Sequence, residues 1–248
     1  MGKRIGSVLV VVFIFGSYSV WATISPAQMS LYVGAYDSYL DGVVDDESFY
    51  GPLERFLTAT SKHPEQGEAT YWKGRALFLL GMAEIERGND EEAEMRFRDV
   101  ARTADMLIEN SDMERGYCLK ADAKSQILLV RGLLYKIRNA GEVVTLAETV
   151  LDMNPNNVRA RLLVARRRVS APRLFGGNTA EGIDMLVSIL EQSKRDLELT
   201  AQDRLWVYLA LGAAYAKTKQ QDLARSTYEL ALALYPHNRE ALELKSDL

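Results

Sequence analysis

The chain has 248 residues, 48% apolar and 26% charged, enough apolar material for a packed core, which excludes a disordered tail, a collagen-like repeat and a multi-span membrane protein. Thirty Lys and Arg against thirty-four Asp and Glu give a net charge of -4. That is the wrong sign for affinity gained by neutralising phosphates, so no nucleic acid is expected as a partner. One cysteine, Cys118, and two histidines, His63 and His237, exclude an intrachain disulfide and leave too few soft ligands for a metal site, so no metal or cofactor is expected.

Lys3 and Arg4 precede a nearly unbroken apolar run from Ile5 to Ala22, which ends with Val20, Trp21 and Ala22 placing small residues where signal peptidase reads. Residues 1–22 resemble a secretory signal peptide, so the body is expected to be exported, periplasmic or secreted. Cleavage after Ala22 is the first reading, and retention of residues 5–22 as a membrane anchor is the second. Ser7, Ser17 and Ser19 make the run short and polar for a helix crossing a hydrocarbon core of about 30 Å. No cysteine follows the run, so neither a lipid anchor nor membrane contact beyond this N-terminal segment is expected. Loss of Lys3 and Arg4 leaves a mature net charge of -6.

In residues 23–64, Phe56, Ala59 and Pro64 stand where the second helix of a helical hairpin would place them, and a degenerate opening repeat is expected there. From Gln66 onward apolar residues recur at spacings of three and four without strand-like alternation, which predicts an all-α body. Breakers at Gly88-Asn89-Asp90, Asn110-Ser111-Asp112, Asn139-Ala140-Gly141, Asn154-Pro155-Asn156, Gly176-Gly177-Asn178, Thr200 and Tyr235-Pro236-His237-Asn238 divide it into helices joined by short turns.

Four units fill residues 65–248. One, near 74–110, carries Leu77, Leu80, Gly81, Ala93 and Phe97, and its second helix is free to run to Asn110 because Asp105 stands where a proline would stop it. The next, near 125–156, places Leu128, Gly132 and Tyr135 in a first helix and Val143, Ala147, Val150 and Pro155 in a second. A third, near 158–196, has Val164 and Ala165 in its first helix, and an insertion through Pro172, Phe175, Gly176 and Gly177 separates these from Gly182, Leu186 and Ile189. In the last, 205–238, Leu205, Tyr208, Leu211, Gly212, Tyr215, Ala224, Tyr228, Ala231 and Pro236 keep a complete pattern. Gly212 and Ala224 lack bulk where two antiparallel helices approach, the tyrosines fill the gaps beside them, and Pro236 ends the second helix. Residues 239–248 are expected to form a solvating capping helix.

The 205–238 unit resembles the tetratricopeptide repeat at all its signature positions, and the resemblance extends with falling regularity to the N-terminus. It implies an all-α solenoid of antiparallel helix pairs whose first helices line a concave groove for a peptide or protein segment. By the family's groove positions, the candidate binding residues are Arg75, Phe78, Met82, Ile85 and Glu86; Arg159, Leu162, Arg166, Val169 and Ser170; and Trp206, Leu209, Ala213, Ala216 and Lys217. The asparagines that grip a peptide carboxylate in one subset of the family are missing, so hydrophobic capture is expected. The Pro172–Asn178 insertion also looks like a segment of the T component of tripartite periplasmic transporters, a helical-repeat subunit that associates with a solute-binding protein.

Arg159 and Arg166, seven apart on one helical face, suit an acidic partner segment, while the alternative for the whole Arg159–Arg173 cluster is a solvated face balanced by Glu181, Asp184 and Glu191. Phe78 and Trp206 read equally as inter-repeat core. No nucleophile elbow, phosphate loop, zinc helix or paired cysteine motif occurs, and no catalytic residue is expected. His63 and His237 read as loop residues and Cys118 as a small buried apolar one. The expected function is that of a non-catalytic exported scaffold binding a protein or peptide partner. The alternative is a transport accessory holding a small ligand in a closed pocket lined by Phe78, Leu129 and Trp206. A hydrolase would require a buried carboxylate pair.

Overall fold

The structure, a computed structural model, describes residues 24–62, 66–192 and 199–248. The expected leader and the His63-Pro64 turn lie outside them. Among the described residues there is no strand, and eleven α-helices follow one another: α1 Pro26–Leu40, α2 Gly51–Thr60, α3 Gly67–Glu86, α4 Asp90–Glu109, α5 Met113–Val130, α6 Leu133–Met153, α7 Val158–Ser170, α8 Thr179–Gln192, α9 Ala201–Lys217, α10 Gln221–Leu234 and α11 Arg239–Ser246.

Local chemistry sets these boundaries. Ser25 and Gln28 cap each other reciprocally at the start of α1, with Pro26 in the first turn. Between α3 and α4, Gly88 at φ +75° lets Asn89 N–H reach Glu84 O and Gly88 N–H reach Ile85 O, a left-handed stop that satisfies the last carbonyls. Ser111 and Lys219 adopt the same left-handed backbone after α4 and α9. Asn157, Thr200 and Asn238 cap α7, α9 and α11 with their side chains.

Successive helices pair as hairpins, and the crossings are where small residues permit them. A Cβ built on Gly212 would lie 2.4 Å from the Tyr228 ring, and one on Gly81 2.7 Å from the Phe97 ring. The third hairpin departs from expectation. Its helices are 113–130 and 133–153, not segments of 125–156 divided at Asn139. Asn139 instead donates to Tyr135 O within a continuous helix, and Gly132 is the extended residue that caps α6. No neighbouring atom approaches a Cβ on Gly132, whereas one on Gly116 would meet Ile108 at 2.6 Å, so Gly116 makes the crossing of α4 and α5.

The chain also closes on itself. One core cluster joins Tyr39, Leu40 and Phe56 of the first hairpin to Leu79 of α3, Leu205 and Leu209 of α9, Tyr235, and Ala241 of α11. Across this seam Asn238 donates to Leu40 O at 2.7 Å, Tyr235 Oη and Gln202 Nε2 both donate to Asp37 Oδ1, Arg239 reaches Gly42 O, and Trp206 Nε1 donates to Tyr36 Oη at 2.8 Å. Helix α11 is therefore not a solvating cap. Ala241 is fully buried and Leu244 packs on the seam core. The expected open cradle is instead a ring in which α1, α3, α5, α7 and α9 face a common interior.

Candidate functional site

Each inner helix contributes to one narrow central cavity, whose non-atom space together with the adjoining open solvent is about 550 Å³. Its wall includes Tyr36 from α1, Phe78 and Met82 from α3, Asp122 and Gln126 from α5, Arg159, Leu162 and Arg166 from α7, and Trp206 from α9. Toward the N-terminal ends of these helices it opens into a wider mouth of about 830 Å³ walled by Tyr32, Tyr71, Trp72, Arg75 and Arg159. At the other end, Arg166, Val169, Ser170, Trp206, Leu209, Ala213 and Glu240 surround a third space of about 500 Å³.

The polar floor between cavity and mouth is an ion triad. Asp122 Oδ2 accepts from Arg75 Nη1 at 2.9 Å and from Arg159 Nε and Nη2, both at 2.9 Å. The Arg75 guanidinium also lies 5.2 Å from the Phe78 ring centroid, a cation–π contact. Two guanidiniums on one carboxylate leave an excess positive charge, offset in part by Asp203 on the same wall. Burial raises the Tyr36 and Tyr71 phenols above their usual pKa, against the pull of Arg159 and Arg75, so both stay neutral donors at physiological pH. Gln126 is buried, and its Oε1 has no hydrogen-bond partner. An orphaned acceptor on a cavity wall is a ready place for a ligand N–H or a water.

Of the residues expected in the groove, Phe78, Met82, Arg159, Leu162, Arg166 and Trp206 share the central cavity. Arg75 lies in its mouth, and Val169, Ser170, Leu209 and Ala213 at its other end. Ile85 packs in the α3–α5 core, Glu86 pairs with Arg239, and Lys217 donates to Val169 O, tying α9 to α7 outside the cavity. Phe78 is core and wall at once, since it is buried and packs against Phe97 at 5.5 Å. The pairing of Arg159 and Arg166 as two free guanidiniums needs correction, because Arg159 is committed to Asp122, whereas Arg166 makes no ion pair among the described residues. The rest of the cluster divides: Arg168 pairs with Glu181, and Arg161 bonds Ser188. Leu129 is not in the cavity. It is exposed and lines a neighbouring cleft that shares Ser125, Gln126, Leu163 and Arg166 with the cavity wall.

Asp122, Gln126 and Tyr36 were not among the expected residues. Asp122 and Gln126 are four apart on α5, as Phe78 and Met82 are on α3. Asp122 is the one acidic side chain in the buried core of the described residues, and its partners are guanidiniums, not a second carboxylate. Among the described residues no cluster of three metal-binding side chains occurs, and no helix is long and apolar enough to cross a membrane.

Residues 206–238 match the family model of the tetratricopeptide repeat. Among solved structures, a thermophilic tetratricopeptide protein of Thermus thermophilus is similar over 89% of this chain and 97% of its own, with a TM-score of 0.56 and 16% identity. YrrB, a tetratricopeptide protein with an unusual peptide-binding site, aligns over 89% of this chain and 94% of its own, with a TM-score of 0.37 and 15% identity. No curated protein matches the chain. Helices α9 and α10 thus form one tetratricopeptide repeat, and the likeness to the Thermus protein shows the same fold over most of the chain.

Proposed function

We propose that the protein is an exported, non-catalytic scaffold that takes an extended segment of a protein partner into its central cavity. The observation carrying this reading is that Phe78, Met82, Leu162 and Trp206, drawn from three helices far apart in sequence, converge on one cavity whose polar floor is the Arg75–Asp122–Arg159 triad. Apolar burial supplies the affinity, at roughly 25 cal/mol per Å² removed from water. Arg166 and the excess charge of the triad favour an acidic residue beside the apolar ones.

Closure of the ring shapes the choice of partner. A cavity walled by five helices excludes a folded domain or an incoming helix. The same closure supports a second reading, an accessory subunit of a periplasmic transport system that holds a small ligand or a solute-binding partner. Phe78 and Trp206 share the pocket that reading requires, although Leu129 does not.

A photo-crosslinking amino acid placed at Met82 or Arg166, inside the ring, and at Glu148, outside it, tests the proposal in the producing cell. Crosslinks from Met82 and Arg166 to one polypeptide, absent from Glu148, are expected. Crosslinking from Glu148 alone refutes cavity binding. Capture of only a low-molecular-weight compound at Met82 establishes the second reading instead.

A further inference from the structure

The most hydrophobic exposed surface lies on the outside of the third and fourth hairpins. At the start of α6, Leu133 is 71% exposed and Leu134 75%, with Leu129 and Ile137 beside them. In the 3₁₀ turn Arg173–Phe175 between α7 and α8, Leu174 is 95% exposed and Phe175 60%. The two groups are contiguous. Val144 and Arg167 wall both the cleft that contains Leu129, Lys136 and Ala140 and the cleft that contains Phe175. Leu133, Ile137, Ala140 and Val144, at i, i+4, i+7 and i+11, form one stripe of α6 that leads into those clefts.

The turn bearing Leu174 and Phe175 is built to present them. Arg167 donates to Phe175 O and Arg168 to Gly176 O, while Asn178 N–H returns to Arg168 O at 2.8 Å. Gly176 takes φ +82°, and a Cβ on Gly177 would collide with Ala171 O at 1.8 Å. The backbone is thus tied down on both sides, so that Leu174 projects into solvent while Phe175 lines the cleft beside Val144 and Arg167.

Charge accompanies the apolar groups. Segments 131–142 and 166–178 carry seven cations against the single anion Glu142, on a chain whose net charge is -4. Lys136, Arg138 and Arg173 have no ion pair among the described residues. Projecting Leu and Phe ringed by Arg and Lys, on an otherwise acidic body, match the chemistry of an anionic bilayer surface. Apolar side chains enter the headgroup boundary and cations meet lipid phosphates.

We propose that this face, centred on Leu133, Leu134, Leu174 and Phe175 with Lys136, Arg138 and Arg173, docks the protein peripherally on an anionic membrane surface. Flotation of the full chain with vesicles of phosphatidylcholine, and of equimolar phosphatidylcholine and phosphatidylglycerol, tests it. Wild type is expected to float with the anionic vesicles and to lose binding in high salt. A Leu174→Asp, Phe175→Asp variant, altered only at exposed sites, should bind about tenfold more weakly or worse. Lys136→Glu with Arg173→Glu should also weaken binding at least about tenfold, and on anionic vesicles alone. Any residues retained from 1–22 are common to all variants, so equal flotation of wild type and variants overturns the proposal. Equal binding to neutral vesicles overturns it too. So does a patch-dependent dimer in sedimentation equilibrium without vesicle binding, which would assign the face to a second copy. Helical circular dichroism confirms that each variant is folded.

Discussion

Replacing Asp122 by Asn removes one negative charge and keeps the side chain's size, which isolates what the carboxylate does for its two guanidiniums. Arg75 has 4% of its side chain exposed and meets Asp122 Oδ2 at 2.9 Å, and Arg159 has 28% exposed and meets the same oxygen. Once the carboxylate is gone, Arg159 can turn toward cavity water, while Arg75 stays enclosed between α3 and α5. The cost should be that of an unpaired buried charge, about 3–5 kcal/mol. Arg159→Met leaves the Arg75–Asp122 pair intact and should cost about 1 kcal/mol, as for a partly exposed ion pair. Arg75→Met combined with Asp122→Asn turns the buried pair apolar and neutral and should recover most of the loss. In urea unfolding followed by circular dichroism, a slope of about 2 kcal/mol per molar converts the Asp122→Asn loss into a midpoint lower by about 1.5–2.5 M. If Arg159→Met lowers the midpoint as far as Asp122→Asn, or if the double variant is no more stable than the single one, burial of an unpaired Arg75 is not what the carboxylate prevents.

Gly212→Ala and Gly141→Ala should move thermal stability in opposite directions. The first drives a methyl to 2.4 Å from the fully buried Tyr228 ring and should destabilise by about 1–3 kcal/mol, and the second meets nothing within 4 Å and should stabilise α6 by about 1 kcal/mol, so a melting curve that ranks them the other way refutes the crossing argument. Asn238→Ala removes the cap of α11 and leaves the Leu40 carbonyl without its donor, so a loss of about 2 kcal/mol is expected, with faster amide exchange confined to α1, α10 and α11. Exchange spreading uniformly through the ring contradicts a seam that opens locally. Burial pushes the Cys118 thiol from its usual 9.0 up to about 12. A folded state that holds this proton more tightly than the unfolded chain is fully stable with respect to it below about pH 9, and loses that contribution as pH rises toward 12. Cys118→Ala should therefore flatten alkaline destabilisation in that window. In the folded protein at neutral pH, a thiol reagent should react at a small fraction of its rate in urea.

The periodicity in the sequence located most of the helices because their punctuation is chemical and local. Gly88, Asn157, Thr200 and Asn238 stop or cap helices through their own backbone or side chains, whatever lies elsewhere in the fold. The third hairpin resisted the same reading because two glycines, Gly116 and Gly132, compete for one crossing. A glycine reveals a close approach only when something stands opposite it, and Ile108 stands opposite Gly116. With the bounds of α5 and α6 misplaced, Asp122 and Gln126 were not recognised as inner-helix residues, while the phasing around Gly74, Val158 and Leu205 yielded Phe78, Met82, Leu162, Arg166 and Trp206 on the cavity wall. The seam was not legible at all. Its bonds join residues about two hundred positions apart, Tyr235 to Asp37 and Asn238 to Leu40, and the amphipathic pattern of α11 fits a solvated cap as well as it fits the seam.

The ring also constrains how its two surfaces work together. Each hairpin returns the chain to its starting side, so the inner helices run in the same direction, with their N-terminal ends at the Tyr32–Tyr71 mouth. The apolar, cationic face lies after the C-terminal ends of α5 and α7, across the ring from the seam where α9 meets α1. Ile24, buried in the seam core, fixes the start of the body at the N-terminal end of α1, so the two points differ by the width of the ring and by the length of α1, about 22 Å at 1.5 Å per residue. Docking through the face after the C-terminal ends of α5 and α7 would leave the aromatic mouth, at the N-terminal ends of the inner helices, turned away from the lipid.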